Sequence, residues 1–469
     1  MRAEPAPGRP CLTMPMPPRA TYRLQLHAGF GFDAVAAIAP YLARLGVSHV
    51  YCSPYLQAAP GSTHGYDVVD HRRLNEELGG EDAYRRMVSA LTEAGLSHIV
   101  DIVPNHMAVA GRHNAWWWDV LENGQSSRWA SFFDIDWDGP EERVRQRVLL
   151  PVLGDHYGRV LEAGELQLHR EGGSFTIGYH EHEAPVSPRT LDDLLMAAAA
   201  HAPDADELAS IAVALGRLPP ATATDRASVE ERHRDKEVLR ARLERLLQEE
   251  PALAAAVDDQ VQAVNQDPDA LDILLQRQNY RLAYWRIAGR ELDYRRFFDI
   301  PELIALNMGD PEVFAETHDL ILRLVKDGDV SGLRIDHPDG LLDPTAYFRR
   351  LREAVGPDAY MVAEKILEAE ERLPDTWPVA GTTGYDFLNR VAGLFVDPAS
   401  VEPLTELYAR FTGEDPNFAE VAYEAKRLVM RETLAADVNR LTSLLIEVCE
   451  RHRRYRDYTR HELHEAIKE

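Results

Sequence analysis

Ser331-Gly-Leu-Arg-Ile-Asp-His337 reads as a short buried strand that carries Arg334 and Asp336 to its C-terminal end. Side chains two apart on a strand point the same way, so the guanidinium and the carboxylate share one face. The neighbouring positive charge favours an ionised, nucleophilic Asp336. A second strand-like run, 360–366, carries Glu364. Two carboxyl groups at the ends of two parallel strands suit glycosidic-bond chemistry. Taken singly, each strand reads first as a structural Arg–Asp pair or a surface glutamate. The rest of the chain shifts that balance.

Upstream of this strand the periodicity is regular. Residues 21–26 alternate as a strand, Phe32–Leu45 follows as a helix stopped by Gly46, and 47–53 is the next strand. Residues 81–94 form the next helix, stopped by Gly95, and 96–103 a third strand. This rhythm indicates βα units and a parallel sheet. It resumes with a helix at 311–326, the Arg334–Asp336 strand, a helix at 345–354, and strands at 360–366 and 379–387. Six barrel-type strands are therefore expected, near residues 22, 49, 99, 333, 362 and 381. A closed (β/α)₈ barrel needs eight, and the tail holds no β-branched run bounded by turn residues. The expected fold is α/β, a TIM-barrel type incomplete at the C-terminus, with inserted irregular and helical subdomains.

The expected organisation is a disordered proline-rich leader at 1–19, the first part of the barrel at 20–106 and an irregular inserted subdomain at 107–190. A helical insertion at 191–295 follows, then the continued barrel at 296–400 and a helical segment at 401–469. Within the helical insertion Leu239, Leu243, Leu246 and Leu247 make an apolar stripe on a charged segment, which reads as core packing.

The chain has 469 residues, long enough for a barrel of roughly 250 residues with large insertions. Its formal net charge of −26 repels phosphate backbones and anionic lipid, which argues against nucleic acid and membranes as partners. Cys11, Cys52 and Cys449 are odd in number and far apart, which points to a reducing, cytoplasmic compartment rather than a disulfide framework. No apolar run reaches the ~18 residues of a membrane span, and the leader lacks the apolar core of a signal peptide.

Three further stretches carry polar groups suited to a sugar. Asp101-Ile-Val-Pro-Asn105-His106 ends the third strand, because Pro104 cannot continue a ladder, and presents Asn105 and His106. His64-Gly-Tyr-Asp67 sets an aromatic ring beside hydrogen-bonding groups. Both also read as an ordinary polar strand end and a packed turn. Trp116, Trp117, Trp118 and Trp129 read mostly as the core of a small subdomain, with a groove role for one of them. His180 and His182 are spaced as a metal pair but lack a third ligand, so no metal is expected. No phosphate loop, dinucleotide fingerprint or serine elbow is present, and no cofactor is expected.

Taken together, these motifs resemble the α-amylase superfamily of retaining glycosidases, glycoside hydrolase family 13. Within it, Ser53-Pro-Tyr-Leu-Gln-Ala-Ala-Pro-Gly-Ser-Thr-His-Gly-Tyr-Asp67, Arg295-Arg-Phe-Phe-Asp-Ile300, Asp336-His-Pro-Asp-Gly-Leu-Leu-Asp-Pro344, Glu364-Lys-Ile-Leu367 and Gly381-Thr-Thr-Gly-Tyr-Asp-Phe387 are similar to the maltooligosyl trehalose synthase family. The resemblance implies that Asp336 is the nucleophile and Glu364 the general acid/base. It implies substrate contacts from Tyr66, Asp67, Asp101, Asn105, His106, Arg334, His337 and Lys365: Arg334 and His106 hold the reacting glucose, Tyr66 stacks on it, and His337 and Lys365 lie near the acceptor glucose. One departure stands out. The superfamily uses a third carboxylate after a seventh strand, and neither Asp386 nor Asp437 matches it. The chain therefore resembles the N-terminal part of a longer enzyme.

The implied reaction converts the reducing-end α-1,4 bond of a maltooligosaccharide, derived from glycogen or starch, into an α,α-1,1 bond. The implied pathway partner is maltooligosyl trehalose trehalohydrolase. Two alternatives remain open: a related α-glucan hydrolase or 4-α-glucanotransferase, and an inactive glucan-binding fragment.

Overall fold

A computed structural model describes residues 17–139, 144–368 and 370–469. The expected leader, but for Pro17, Pro18 and Arg19, lies outside the described residues. The chain divides into two compact units. One is Met1–Ala108 with Leu306–Pro416, the other Val109–Ala305 with Asn417–Glu469.

The first unit is built on a six-stranded sheet. Its order is β1 (Thr21–Leu24), β2 (His49–Cys52), β3 (Ser97–Ile102), β4 (Gly332–Ile335), β5 (Tyr360–Ala363) and β6 (Gly381–Thr382). Every pairing is parallel, and spatial order follows chain order, as stacked βα units require. All six strands lie where the periodicity placed them. Among the described residues β1 and β6 each have one neighbour, so the sheet is an open arc of a TIM-type barrel.

The crossover helices are α1 (Phe32–Leu45), α2 (Gly80–Glu93), α3 (Pro311–Lys326) and α4 (Pro344–Val355). α3 buries Val313, Phe314, Leu320, Ile321 and Leu324 along one face, each such side chain contributing about 1.5–3 kcal/mol. An Asp-Pro pair starts α3 and again α4. Asp310 accepts the Glu312 N–H at 2.8 Å and Asp343 the Ala346 N–H at 2.9 Å, while the following proline occupies the first helical position, where its missing N–H costs nothing. The expected strand at 379–387 is shorter than read. It ends at Thr382, and a helix runs over Tyr385–Gly393. Gly384 turns the chain at φ +107°, and the Thr382 hydroxyl accepts the Gly384 N–H and donates to Asp386 at 2.5 Å, which closes a polar turn in place of a strand.

The second unit contains a three-stranded antiparallel sheet, Gln167–Glu171, Ser174–Tyr179 and His182–Pro185, inside the stretch read as irregular. Gly172 at φ +60° and Gly173 make the two-residue turn between the first two strands. The long helix Arg226–Glu249 buries Leu243, Leu246 and Leu247, as the apolar stripe predicts. Tyr280–Tyr284, which falls in the stretch read as helical, is instead a strand paired in parallel with Val148–Leu153. That pairing joins segments far apart in sequence, which local periodicity does not register. Trp116 and Trp117 are buried. Trp129 stacks on Trp116 at 4.7 Å and stays half-buried, as does Trp118 beneath Arg112. Among the described residues no helix is long and apolar enough to cross a membrane.

Asp293 is buried in this unit and accepts the Leu149 N–H with both oxygens, at 3.1 and 3.0 Å. Burial pushes its carboxyl up to about 8 in spite of that bond. The folded chain thus keeps a proton that an unfolded aspartate loses near pH 4, so stability falls as pH rises from about 4 to about 8. Asp293→Asn keeps an oxygen acceptor without the titration. It is expected to raise the unfolding free energy by about 1–3 kcal/mol at pH 9 and to make little difference at pH 4. Thermal melts across that range check this, and melting curves that shift in parallel would count against it.

Candidate active site

The parallel register of β3 and β4 sets Asp101 directly opposite Arg334. Arg334 is 6% exposed, and three carboxyl groups converge on it. Its Nη1 donates to Asp101 Oδ1 and to Asp336 Oδ1, both at 2.7 Å, and its Nη2 lies 2.8 Å from Glu364 Oε1. Asp336 stands one residue past β4 and Glu364 one residue past β5, so both strand ends deliver a carboxyl group to the same guanidinium. Asp101 is the best-supplied of the three. Besides Arg334 it accepts from Tyr66 Oη at 2.6 Å and Tyr51 Oη at 2.9 Å.

One cation beside three acids leaves a surplus of negative charge in a buried place. Burial, and next the charge on Asp101, push the Asp336 carboxyl up to about 8, outweighing the pull of Arg334. Arg334 favours the ionised form, in the direction expected from the strand, but burial and Asp101 outweigh it. The sequence shows the adjacent cation but not the second acid brought from β3. Burial also raises the Asp101 carboxyl, against Arg334 and the two tyrosine hydroxyls. The same burial opposes the Arg334 charge, yet the surrounding anions, Asp101 foremost, hold its guanidinium above its ordinary range.

Backbone conformation aims the remaining groups. His337 adopts a left-handed conformation at φ +43°, uncommon for a residue with a side chain. That turn directs its N–H to Glu364 Oε2 at 3.0 Å. A Cβ at Gly340 would clash with both the His337 ring and Asn105 Oδ1, so the glycine is what lets those two side chains close together. Asn105 and His106 are both buried, with Asn105 Nδ2 3.4 Å from His106 Nδ1. Gly65, at φ +83°, passes so close to the Pro54 carbonyl that no Cβ fits, and this carries Tyr66 to Asp101.

Two residues of the expected set sit apart from the Arg334 cluster. Asp67 accepts the Ser62 hydroxyl and lies 3.7 Å from His64 Nδ1. Lys365 pairs with Asp339 at 3.0 Å and Glu371 at 2.9 Å. Conversely, the sequence reading missed Tyr51 and Arg23. Arg23 donates to Tyr66 Oη at 2.8 Å and lies over the Tyr51 ring at 5.1 Å, because β1 and β2 pair Arg23 with Tyr51. Alternation along β2 was the available signal: Tyr51 falls on the face opposite buried Val50 and Cys52. His180 and His182 contact Glu165 and Glu181 respectively, and no group of three or more metal-ligating side chains occurs among the described residues.

Residues 32–154 match the model of the α-amylase catalytic domain. Over 436 residues the chain is 34% identical to a Mycobacterium tuberculosis protein with the provisional name maltooligosyl trehalose synthase, an alignment that covers 91% of this chain and 45% of that protein. The solved structure of maltooligosyltrehalose synthase from Arthrobacter ramosus is 36% identical, with a TM-score of 0.69, covering 92% of this chain and 46% of that one. A malto-oligosyltrehalose trehalohydrolase of Rhizobium sp. is 35% identical over 119 residues, 25% of this chain and 20% of that protein. The chain thus spans about half the length of the synthases it matches. The likeness to maltooligosyl trehalose synthases runs through nine-tenths of this chain, in sequence and in backbone, and its residues 32–154 match the α-amylase catalytic domain.

Proposed function

We propose that this chain carries the nucleophile and the acid/base of a retaining intramolecular transglycosylation. That reaction converts the terminal α-1,4 bond of a maltooligosaccharide into the α,α-1,1 bond of maltooligosyl trehalose. The observation that carries this reading is the convergence of Asp336 and Glu364 on the two Nη atoms of Arg334. Glu364, protonated, donates to the glycosidic oxygen while ionised Asp336 attacks the anomeric carbon. The C–O bond to the terminal glucose breaks and a glycosyl ester forms. Glu364, now a carboxylate, takes the proton from the anomeric hydroxyl of the released glucose. That oxygen attacks the same carbon and frees Asp336. Retention follows from two displacements. Arg334 and His106 hold the reacting unit, Tyr66 packs on it, and Asp67, Asp101 and Asn105 orient its hydroxyls.

Rearrangement rather than hydrolysis requires that water be excluded while the glucose turns. We assign His337 and Lys365 to that glucose. Lys365→Ala is expected to raise the share of hydrolysis over transfer several-fold, since the acceptor loses a contact that water does not need. An unchanged partition between the two products argues against the assignment. The second carbohydrate enzyme of the pathway, a trehalohydrolase, is the natural consumer of the product. Cytoplasmic residence fits the two described cysteines, Cys52 and Cys449, both free and buried.

Incubation of the 469-residue chain with maltohexaose tests the reading. Loss of reducing ends, with a non-reducing product of unchanged mass, supports the synthase. A gain of reducing ends supports a hydrolase, and redistributed chain lengths a glucanotransferase. Binding with no turnover supports a glucan-binding segment that carries two catalytic acids but not the whole reaction.

A further inference from the structure

The second unit holds a cavity of about 360 Å³ remote in sequence from the Arg334 cluster. Its lining includes Ser187, Arg189, Asp192, Arg232, Arg277 and Asn279. Its charge is out of character for a chain of net −26. Three guanidinium groups face one carboxylate, that of Asp192.

Two of those guanidiniums have no acidic partner within ion-pair distance among the described residues. Arg232 is fully buried and held by neutral oxygens only: Asn123 Oδ1 at 3.0 Å, the Pro219 carbonyl at 2.6 Å and Ser187 Oγ at 3.1 Å. The nearest acids are already committed. Glu122 bonds Lys236 and Arg240, and Asp119 bonds Lys236 and Ser127. Arg189 is half-buried and donates from Nε to the Gly216 carbonyl at 3.2 Å, which leaves both of its Nη groups for a ligand. Arg277, by contrast, is neutralised by Asp192 and Asp193, both at 2.6 Å.

A buried cation with only neutral acceptors is costly, because desolvation is not offset by an opposite charge. Burial holds the Arg232 guanidinium down to about 10, against the attraction of Glu122, and the like charge of Arg189 adds to the burden. An anion held on Arg189 would relieve both terms through space. A guanidinium fork matches phosphate oxygens in geometry as well as charge. A phosphate monoester carries about −1.5 to −2 at neutral pH, which suits a surplus of two cations. The volume exceeds what bare phosphate needs. The remaining lining is polyol-compatible: the Ser187 hydroxyl hydrogen and the Asn279 side-chain carbonyl have no protein partner among the described residues.

We propose that this cavity binds a phosphate monoester of about hexose size, its phosphoryl group on the Nη groups of Arg189 and in the field of the buried Arg232, its hydroxyls against Ser187 and Asn279. The site lies wholly within one unit and does not depend on the catalytic reading.

Calorimetric titration of the full chain with glucose 6-phosphate, inorganic phosphate and glucose, at chloride-matched ionic strength, tests this. The expected result is saturable binding of glucose 6-phosphate, inorganic phosphate weaker by about tenfold or more, and no heat from glucose. Arg189→Ala is expected to weaken the hexose phosphate by about tenfold or more, and Arg189→Lys by less. The lysine variant decides the point if the alanine variant does not fold. Absence of saturable binding by either phosphate overturns the proposal, as does binding that is unaltered in both variants. Equal affinity for the two phosphates overturns the monoester and leaves a plain phosphate site.

Discussion

Asp336→Asn is expected to abolish rearrangement of maltohexaose, in any preparation that performs it, by about 10⁴-fold or more. The same substitution is expected to stabilise the fold. An amide cannot form the glycosyl ester, so the first displacement has no nucleophile. The stability gain has a separate origin. The Asp336 carboxyl is pushed up to about 8 by burial and by Asp101, while an unfolded aspartate titrates near 4. The folded chain therefore binds the extra proton between those limits, and stability drains away as pH rises through them. Asparagine does not titrate and escapes that loss, for an expected gain of about 1–3 kcal/mol at pH 9 and little at pH 4. The two readouts are separable. Retained turnover removes Asp336 from the nucleophile's role. A variant no more stable than the parent at pH 9 removes the electrostatic burden.

Arg334→Met carries the opposite sign and a larger structural cost. Methionine fills much of the volume but leaves Asp101, Asp336 and Glu364 facing one another around an apolar chain. Breaking a buried pair by removing one partner typically costs about 3–5 kcal/mol, and here one cation serves three acids. The unfolding free energy near pH 7 is expected to fall by that amount. Combination with Asp336→Asn is expected to recover part of the loss, because the second change removes one of the three stranded carboxyl groups. A double-mutant cycle by denaturant unfolding measures this coupling. Strict additivity would mean that Arg334 acts through packing alone, and the electrostatic account of the site would fail.

Much of this protein was legible before any coordinates. Strands are short apolar runs closed by glycine or proline, and helices end in glycine, so six parallel strands could be placed from period and punctuation alone. The motif around Asp336 could be read because one strand carries both partners: Arg334 and Asp336 are two apart, and the pleat puts them on one face. Local pattern misled at the end of the sheet, where Gly384 and the Thr382–Asp386 hydrogen bond convert an apparent strand into a helix. It was silent on Tyr280–Tyr284, whose partner strand Val148–Leu153 is remote in sequence.

The sequence by itself determined which residue types stand at the strand ends, and hence the class of chemistry, because those depend on neighbours along the chain. Only the tertiary structure decided their protonation and company. The β3–β4 register brings Asp101 against Arg334, and with it Tyr51 and Tyr66. A carboxyl whose nearest neighbour favours ionisation is thereby pushed up to about 8. The cause is that Coulomb and desolvation energies depend on distance through the folded interior, not on distance along the chain. The arginine-lined cavity is of the same kind. Arg189 and Arg232 lie far apart in sequence, and nothing in their local pattern reports that folding sets both against one cavity.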